Sequence, residues 1–183
     1  MTCTLCVNGV TRSVEVEPRR LLADVLREDF GCHGVHFGCS HGACGCCTVH
    51  VNGVPRLSCL TFAVQCDGDR ITTIEGLGKA PAEASGEGPA TGGEDAGLHP
   101  LQESFIREHG LQCGYCTPGY IMALAPFVAA AGAGEAPVPD EAAIREAMSG
   151  NLCRCTGYQN IVNAVRDAIA RGRRGGEGDH GGA

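Results

Sequence analysis

The sequence predicts an α+β chain in two unlike halves, a small sheet with one helix on its face followed by a bundle of four short helices. Three observations predict it. Asn-Gly pairs at positions 8–9 and 52–53 each separate two short strand-like runs, as tight hairpins require. From Leu98 onward apolar residues recur at helical spacing. Between these regions, residues 79–97 hold five Gly, five Ala and two Pro but no Val, Ile, Leu or Phe, which is too little apolar side chain to offset the entropy of ordering that backbone. The expected organisation is a sheet domain over 1–78, a flexible linker over 79–97, a helical domain over 98–171 and a disordered tail over 172–183.

Taken in order, residues 3–7 and 10–16 form the first hairpin around Asn8-Gly9. Leu21, Leu22, Val25 and Leu26 mark a short helix, with Gly31 placed to end it. Residues 47–51 and 54–57 form the second hairpin, and 70–74 the last strand. The order strand-strand-helix-strand-strand-strand suits a β-grasp sheet. In the second half Pro100 sits in the first turn of a helix running to about His109, and Pro118 opens another through Ala131. Pro126 should kink or end that helix. Asp140 is placed to cap residues 141–148, with Gly150 as the stop. Ile161, Val162, Val165, Ala168 and Ile169 form the apolar stripe of the last helix.

Chemistry is concentrated in the thirteen cysteines. Cys39, Cys44 and Cys47 follow Cys-x4-Cys-x2-Cys, and Cys59 comes after eleven further residues, the plant-type spacing for a [2Fe-2S] cluster. Gly38, Gly42 and Gly45 would let the loop turn tightly and aim N–H groups at sulfur. A second set pairs Cys113 and Cys116 with Cys153 and Cys155, separated by thirty-six residues. Paired cysteines of this kind hold structural zinc as well as iron; the first loop inclines the choice toward iron. Cys39-Ser40-His41 matches the opening half of a Rieske motif, but Phe62 stands where its second histidine is needed.

The surroundings agree with a metal reading. An odd cysteine count does not close into disulfides, and the N-terminus begins no secretory signal, so a reducing cytoplasm is expected. The longest apolar run is shorter than the about 20 residues of a membrane span. A net charge of −7 argues against nucleic acid as the main partner; the short Arg-Gly run from Arg171 is read as a solvated end. No nucleophile, general base or substrate pocket is evident, so no catalytic residue is expected on this chain.

Two long motifs carry a resemblance. Gln112-Cys113-Gly114-Tyr115-Cys116-Thr117-Pro118-Gly119 and Gly150-Asn151-Leu152-Cys153-Arg154-Cys155-Thr156-Gly157-Tyr158-Gln159-Asn160-Ile161 resemble the small iron-sulfur subunit of molybdenum hydroxylases, the family of xanthine dehydrogenases, aldehyde oxidoreductases and aerobic carbon monoxide dehydrogenases. Residues 98–103 and Ser58-Cys59-Leu60 match as well. The resemblance implies a plant-type ferredoxin-like domain holding one [2Fe-2S] cluster through Cys39, Cys44, Cys47 and Cys59. It implies a helical domain holding a second through Cys113, Cys116, Cys153 and Cys155. Gln112 and Cys155 match positions that contact molybdopterin on a large subunit, while FAD lies on a medium subunit beyond the first cluster. The implied role is one-electron transfer from molybdenum to flavin; a stand-alone two-cluster ferredoxin and an interaction module with structural zinc are the rivals. Cys46 departs from the family, which usually has alanine there, and is expected to be a packing thiol. Cys3, Cys6, Cys32 and Cys66 show no ligand spacing and are expected to be reduced, structural or surface thiols. The Gly/Ala-rich stretch is also longer than the family leads one to expect.

Overall fold

The computed structural model describes residues 1–78, 97–134 and 137–177, with side chains to residue 174. Strand β1 (Thr2–Val7) pairs antiparallel with β2 (Val10–Glu15), and β3 (Thr48–Val51) with β4 (Val54–Leu57). Both turns carry their Asn-Gly pairs at positive φ: Asn8 and Asn52 at 50°, Gly9 at 86° and Gly53 at 83°. Strand β5 (Arg70–Thr72) runs between the hairpins, parallel to β1 and antiparallel to β3, giving the order β2-β1-β5-β3-β4. The turn asparagines also hold it in place. Asn8 Oδ1 accepts from Thr73 N at 2.9 Å, and Asn52 Oδ1 accepts from Arg70 N at 3.0 Å.

Helix α1 (Leu22–Glu28) buries Leu22, Ala23, Val25 and Leu26 against the sheet residues Leu5, Val7, Val49 and Ile71. The mixed sheet with a helix on one face is the expected first domain. The second half contains α2 (Pro100–Arg107), α3 (Thr117–Gly132), α4 (Glu141–Ala147) and α5 (Gln159–Glu177). Their core is built on Leu101, Phe105, Leu124, Ile144, Ile161 and Val165. Asp140 caps α4 as its sequence position predicts, Oδ1 accepting from Ala143 N at 2.8 Å. His99 caps α2 through its ring nitrogen, which accepts from Leu101 N at 3.2 Å.

Three details differ from expectation. The helical core also takes Ile74 and Leu77, which precede residue 78. Helix α5 continues past Arg171 to Glu177, where a tail had been expected; residues 178–183 and the linker residues 79–96 lie outside the described residues. Helix α3 runs through Pro126 without ending. Proline lacks the N–H that would bond to the carbonyl four residues back, on Met122. That carbonyl is instead partnered by His50 of β3, whose Nε2 lies 2.6 Å away. A side chain from the sheet half thus fills the gap that the proline opens in the helical half.

The described residues on either side of 79–96 also lie together. A methyl group built on Gly78 would stand 2.4 Å from the Gly97 carbonyl oxygen and 2.8 Å from His99 N.

Candidate metal centres

The loop between α1 and β3, together with Cys59 in a short 3-10 turn (Ser58–Leu60), gathers the first sulfur set. Cys39 is in hydrogen-bonding contact with Cys44, and Cys59 with Cys47. Cys39 Sγ accepts from Ala43 N at 3.2 Å and from His41 N at 3.5 Å. These N–H groups, that of His41 foremost, bring the Cys39 thiol down to about 6. Cys59 is pushed up to about 12, first by burial and then by its thiol neighbour Cys47. Gly42 and Gly45 adopt the positive φ expected of them, at 84° and 73°, but Gly38 does not. Its requirement is space: a Cβ there would meet Cys44 Sγ at 2.8 Å. Cys46 is buried beside the set, its thiol held near about 12 by burial and by Cys44.

The second set comes from the turn before α3 and the segment between α4 and α5. Cys113 and Cys155 place their sulfurs 3.5 Å apart, both exposed. Cys116 contacts Cys153 on the inner side. Burial pushes Cys153 up, but hydrogen bonds from the hydroxyl and N–H of Thr156 outweigh it and leave this thiol below its ordinary value. Cys116 rises to about 12, first through burial and then through its thiol neighbour Cys153. Gln112, next to Cys113 in the chain, is exposed.

The eight sulfurs therefore stand in two sets, with Cys39 in contact with Cys44, Cys47 with Cys59, Cys113 with Cys155 and Cys116 with Cys153, while the non-ligand candidate Cys46 also contacts Cys44. Four thiols per set are the donor number that a [2Fe-2S] group would require. A structural zinc instead draws four sulfurs about one point at roughly 2.3 Å. Among the described residues no three His, Cys, Asp or Glu groups are gathered that way. The thiols present fit a [2Fe-2S] group at each set, four cysteines to each.

Direct contacts join the two sets. Leu152 N donates to the Cys44 carbonyl at 3.0 Å, and Asn151 Nδ2 donates to the Gly45 carbonyl at 3.0 Å. Tyr120 in α3 braces Asn151 by donating its hydroxyl to the Asn151 carbonyl at 2.6 Å. Gly119 permits this approach, since a Cβ there would stand 2.4 Å from the Gly45 oxygen and 2.7 Å from Cys46 Cα. At the rim, His36 stacks on Tyr115 with ring centroids 4.6 Å apart, and Tyr115 donates its hydroxyl to the Phe37 carbonyl at 2.7 Å. Sequence reasoning missed Asn151, Tyr120, His36 and His50 as bridging groups, because no local pattern marks a partner on the other half.

The remaining cysteines lie apart from these sets. Cys3, Cys32 and Cys66 are buried in the sheet core, and Cys6 is half-buried on β1. Cys32 is pushed up to about 11, mainly by burial. His41 Nδ1 stays with the Cys39 carbonyl at 2.6 Å, a loop contact.

Residues 22–83 match a 2Fe-2S iron-sulfur cluster binding domain, and residues 73–166 match a [2Fe-2S] binding domain. The 6-hydroxypseudooxynicotine dehydrogenase complex subunit beta of Paenarthrobacter nicotinovorans is 48% identical over 91% of this chain and 92% of its own. The caffeine dehydrogenase subunit gamma of Pseudomonas sp. (strain CBB1) is 44% identical over 89% and 87%. Among solved structures, a chain of quinoline 2-oxidoreductase from Pseudomonas putida 86 superposes with a TM-score of 0.77 at 44% identity, covering 97% of this chain and 98% of that one.

Proposed function

Because the chain belongs to the iron-sulfur subunits of the molybdenum hydroxylase family, with two [2Fe-2S]-binding domains, we propose that it carries electrons one at a time between a molybdopterin site on a large subunit and FAD on a medium subunit. Cys39, Cys44, Cys47 and Cys59 hold one cluster, and Cys113, Cys116, Cys153 and Cys155 the other. When bound, each [2Fe-2S] group supplies a one-electron carrier.

The two sets of four thiols carry this reading, and the chain's own residues supply the rest. Exposed Cys113 and Cys155, together with exposed Gln112, form the face turned to the molybdopterin subunit. Leu152 and Asn151 clamp the Cys44-Gly45 backbone against the segment that bears Cys153, so the two centres keep one separation. The Cys44 carbonyl and the Leu152 N–H give a link of one hydrogen bond between residues that bear or adjoin ligands from each set. The first centre, with half-buried Cys39 and the exposed Leu60 beside it, hands electrons on to the flavin subunit.

Iron and acid-labile sulfide analysis with low-temperature EPR of the dithionite-reduced chain tests the proposal. Four irons, four sulfides and two distinct rhombic signals are expected. Two irons together with zinc would assign the helical set to a structural ion and remove the electron path. Isolation with molybdopterin and FAD subunits distinguishes the complex from a stand-alone ferredoxin.

A further inference from the structure

We propose that Thr156 sets the reduction potential of the helical centre by donating its hydroxyl hydrogen to the sulfur of Cys153, an inference that rests on the two-cluster reading above. Thr156 Oγ1 lies 3.2 Å from Cys153 Sγ. The same oxygen accepts from Tyr158 N at 3.1 Å. With the Tyr158 N–H occupying the acceptor side, the hydroxyl proton is left to the sulfur.

Tyr158 keeps that arrangement from both ends. Its backbone is in the left-handed region at φ 72°, uncommon for a bulky residue. Its phenol oxygen accepts from Cys153 N at 3.3 Å. One residue thus positions both the donor and the residue that bears the receiving sulfur. Thr156 N adds a longer contact to Cys153 Sγ at 3.5 Å. Among the described residues no other side-chain hydroxyl donates to any of the eight sulfurs, so Thr156 is the one such donor that a substitution removes without altering the backbone.

A hydrogen bond to a ligand sulfur favours the state with more negative charge on that sulfur, which is the reduced one. Removing it makes the helical centre harder to reduce and leaves the first centre as it was. The role is one of positioning and tuning, so the decisive readout is a potential.

The test is an EPR-monitored redox titration of the full chain carrying both centres, as wild type, Thr156→Val, Thr156→Ala and Thr156→Ser. In the Val and Ala variants the equilibrium constant for reducing the helical centre should fall about tenfold, equivalent to about 59 mV for a one-electron couple. The first centre should not shift, and the Ser variant should titrate as wild type. Unchanged potentials in Val and Ala, equal shifts at both centres, or a helical centre that assembles only in wild type and Ser would each overturn the inference. Absence of two signals in the wild type would instead remove the two-cluster reading beneath it.

Discussion

Cys46 lies beside Cys39, Cys44 and Cys47, three of the thiols proposed as ligands, and contacts Cys44 directly; the Cys-x2-Cys spacing from Cys44 assigns the ligand role to Cys47 rather than Cys46. Cys47→Ser should therefore abolish the first EPR signal and keep the helical one. Cys46→Ala should keep both, at a cost in folding stability of about 1 kcal/mol for a small buried side chain. The cysteine sets were legible because ligand spacing is a local property of the chain. Thr156 was not, since its hydroxyl is aimed by a left-handed Tyr158 that no propensity predicts. A titratable side chain also affects the molecule at this scale. Burial, and then the positive field of His50, lowers the pKa of His99. A histidine whose folded value lies below its unfolded value of about 6.5 binds fewer protons when folded. Its stabilisation is present above that value and is lost as pH falls through it. His99→Asn puts an amide oxygen in place of the ring-nitrogen acceptor of the α2 cap and does not titrate, so its thermal midpoint should fall less than that of wild type between pH 7.5 and pH 5.5.

For the elements, Pro126 shows where local reasoning stops. Read within α3 it signals a kink or an end, since the missing N–H leaves the Met122 carbonyl without its helical partner. The actual partner, His50, is 72 residues away in β3 and is invisible from the helix sequence. His50→Phe should strand that carbonyl and cost about 1–3 kcal/mol. Adding Pro126→Ala supplies the helical N–H and should recover part of the loss, a coupling that a urea-denaturation double-mutant cycle would read. The start of the same helix is constrained by space. Gly119→Ala would drive a methyl into the Gly45 carbonyl and the Cys46 backbone, neither of which can rotate away. A destabilisation of about 1–3 kcal/mol is expected, with the melting temperature as its measure and an unchanged midpoint as the contrary result. Elsewhere the Asn-Gly turns, the Asp140 cap and the amphipathic stripe of α5 were all readable, because each depends on residues a few positions apart.

Across the whole molecule, two separate apolar cores meet along a seam of polar contacts that runs past both sulfur sets. Most of those contacts use main-chain carbonyls, on Phe37, Cys44, Gly45 and Met122, as acceptors. The relation of the halves was therefore hidden from a reading of side-chain patterns, although each half was recognisable. Since Gly78 abuts Gly97, the chain departs for residues 79–96 and returns at a single place on the surface. The seam, and not the length of that excursion, keeps the halves in register. Changing its length alters mainly a closure entropy that grows slowly with residue number. Replacing 79–96 with a short Gly-Ser turn should leave the melting temperature and both EPR signals close to wild type; loss of either signal would show that the excursion itself supports a centre. The same neighbourhood offers a natural point at which new termini could be opened or a reporter domain spliced in, and along which evolution is free to lengthen the chain without retuning the distance that electrons must cross.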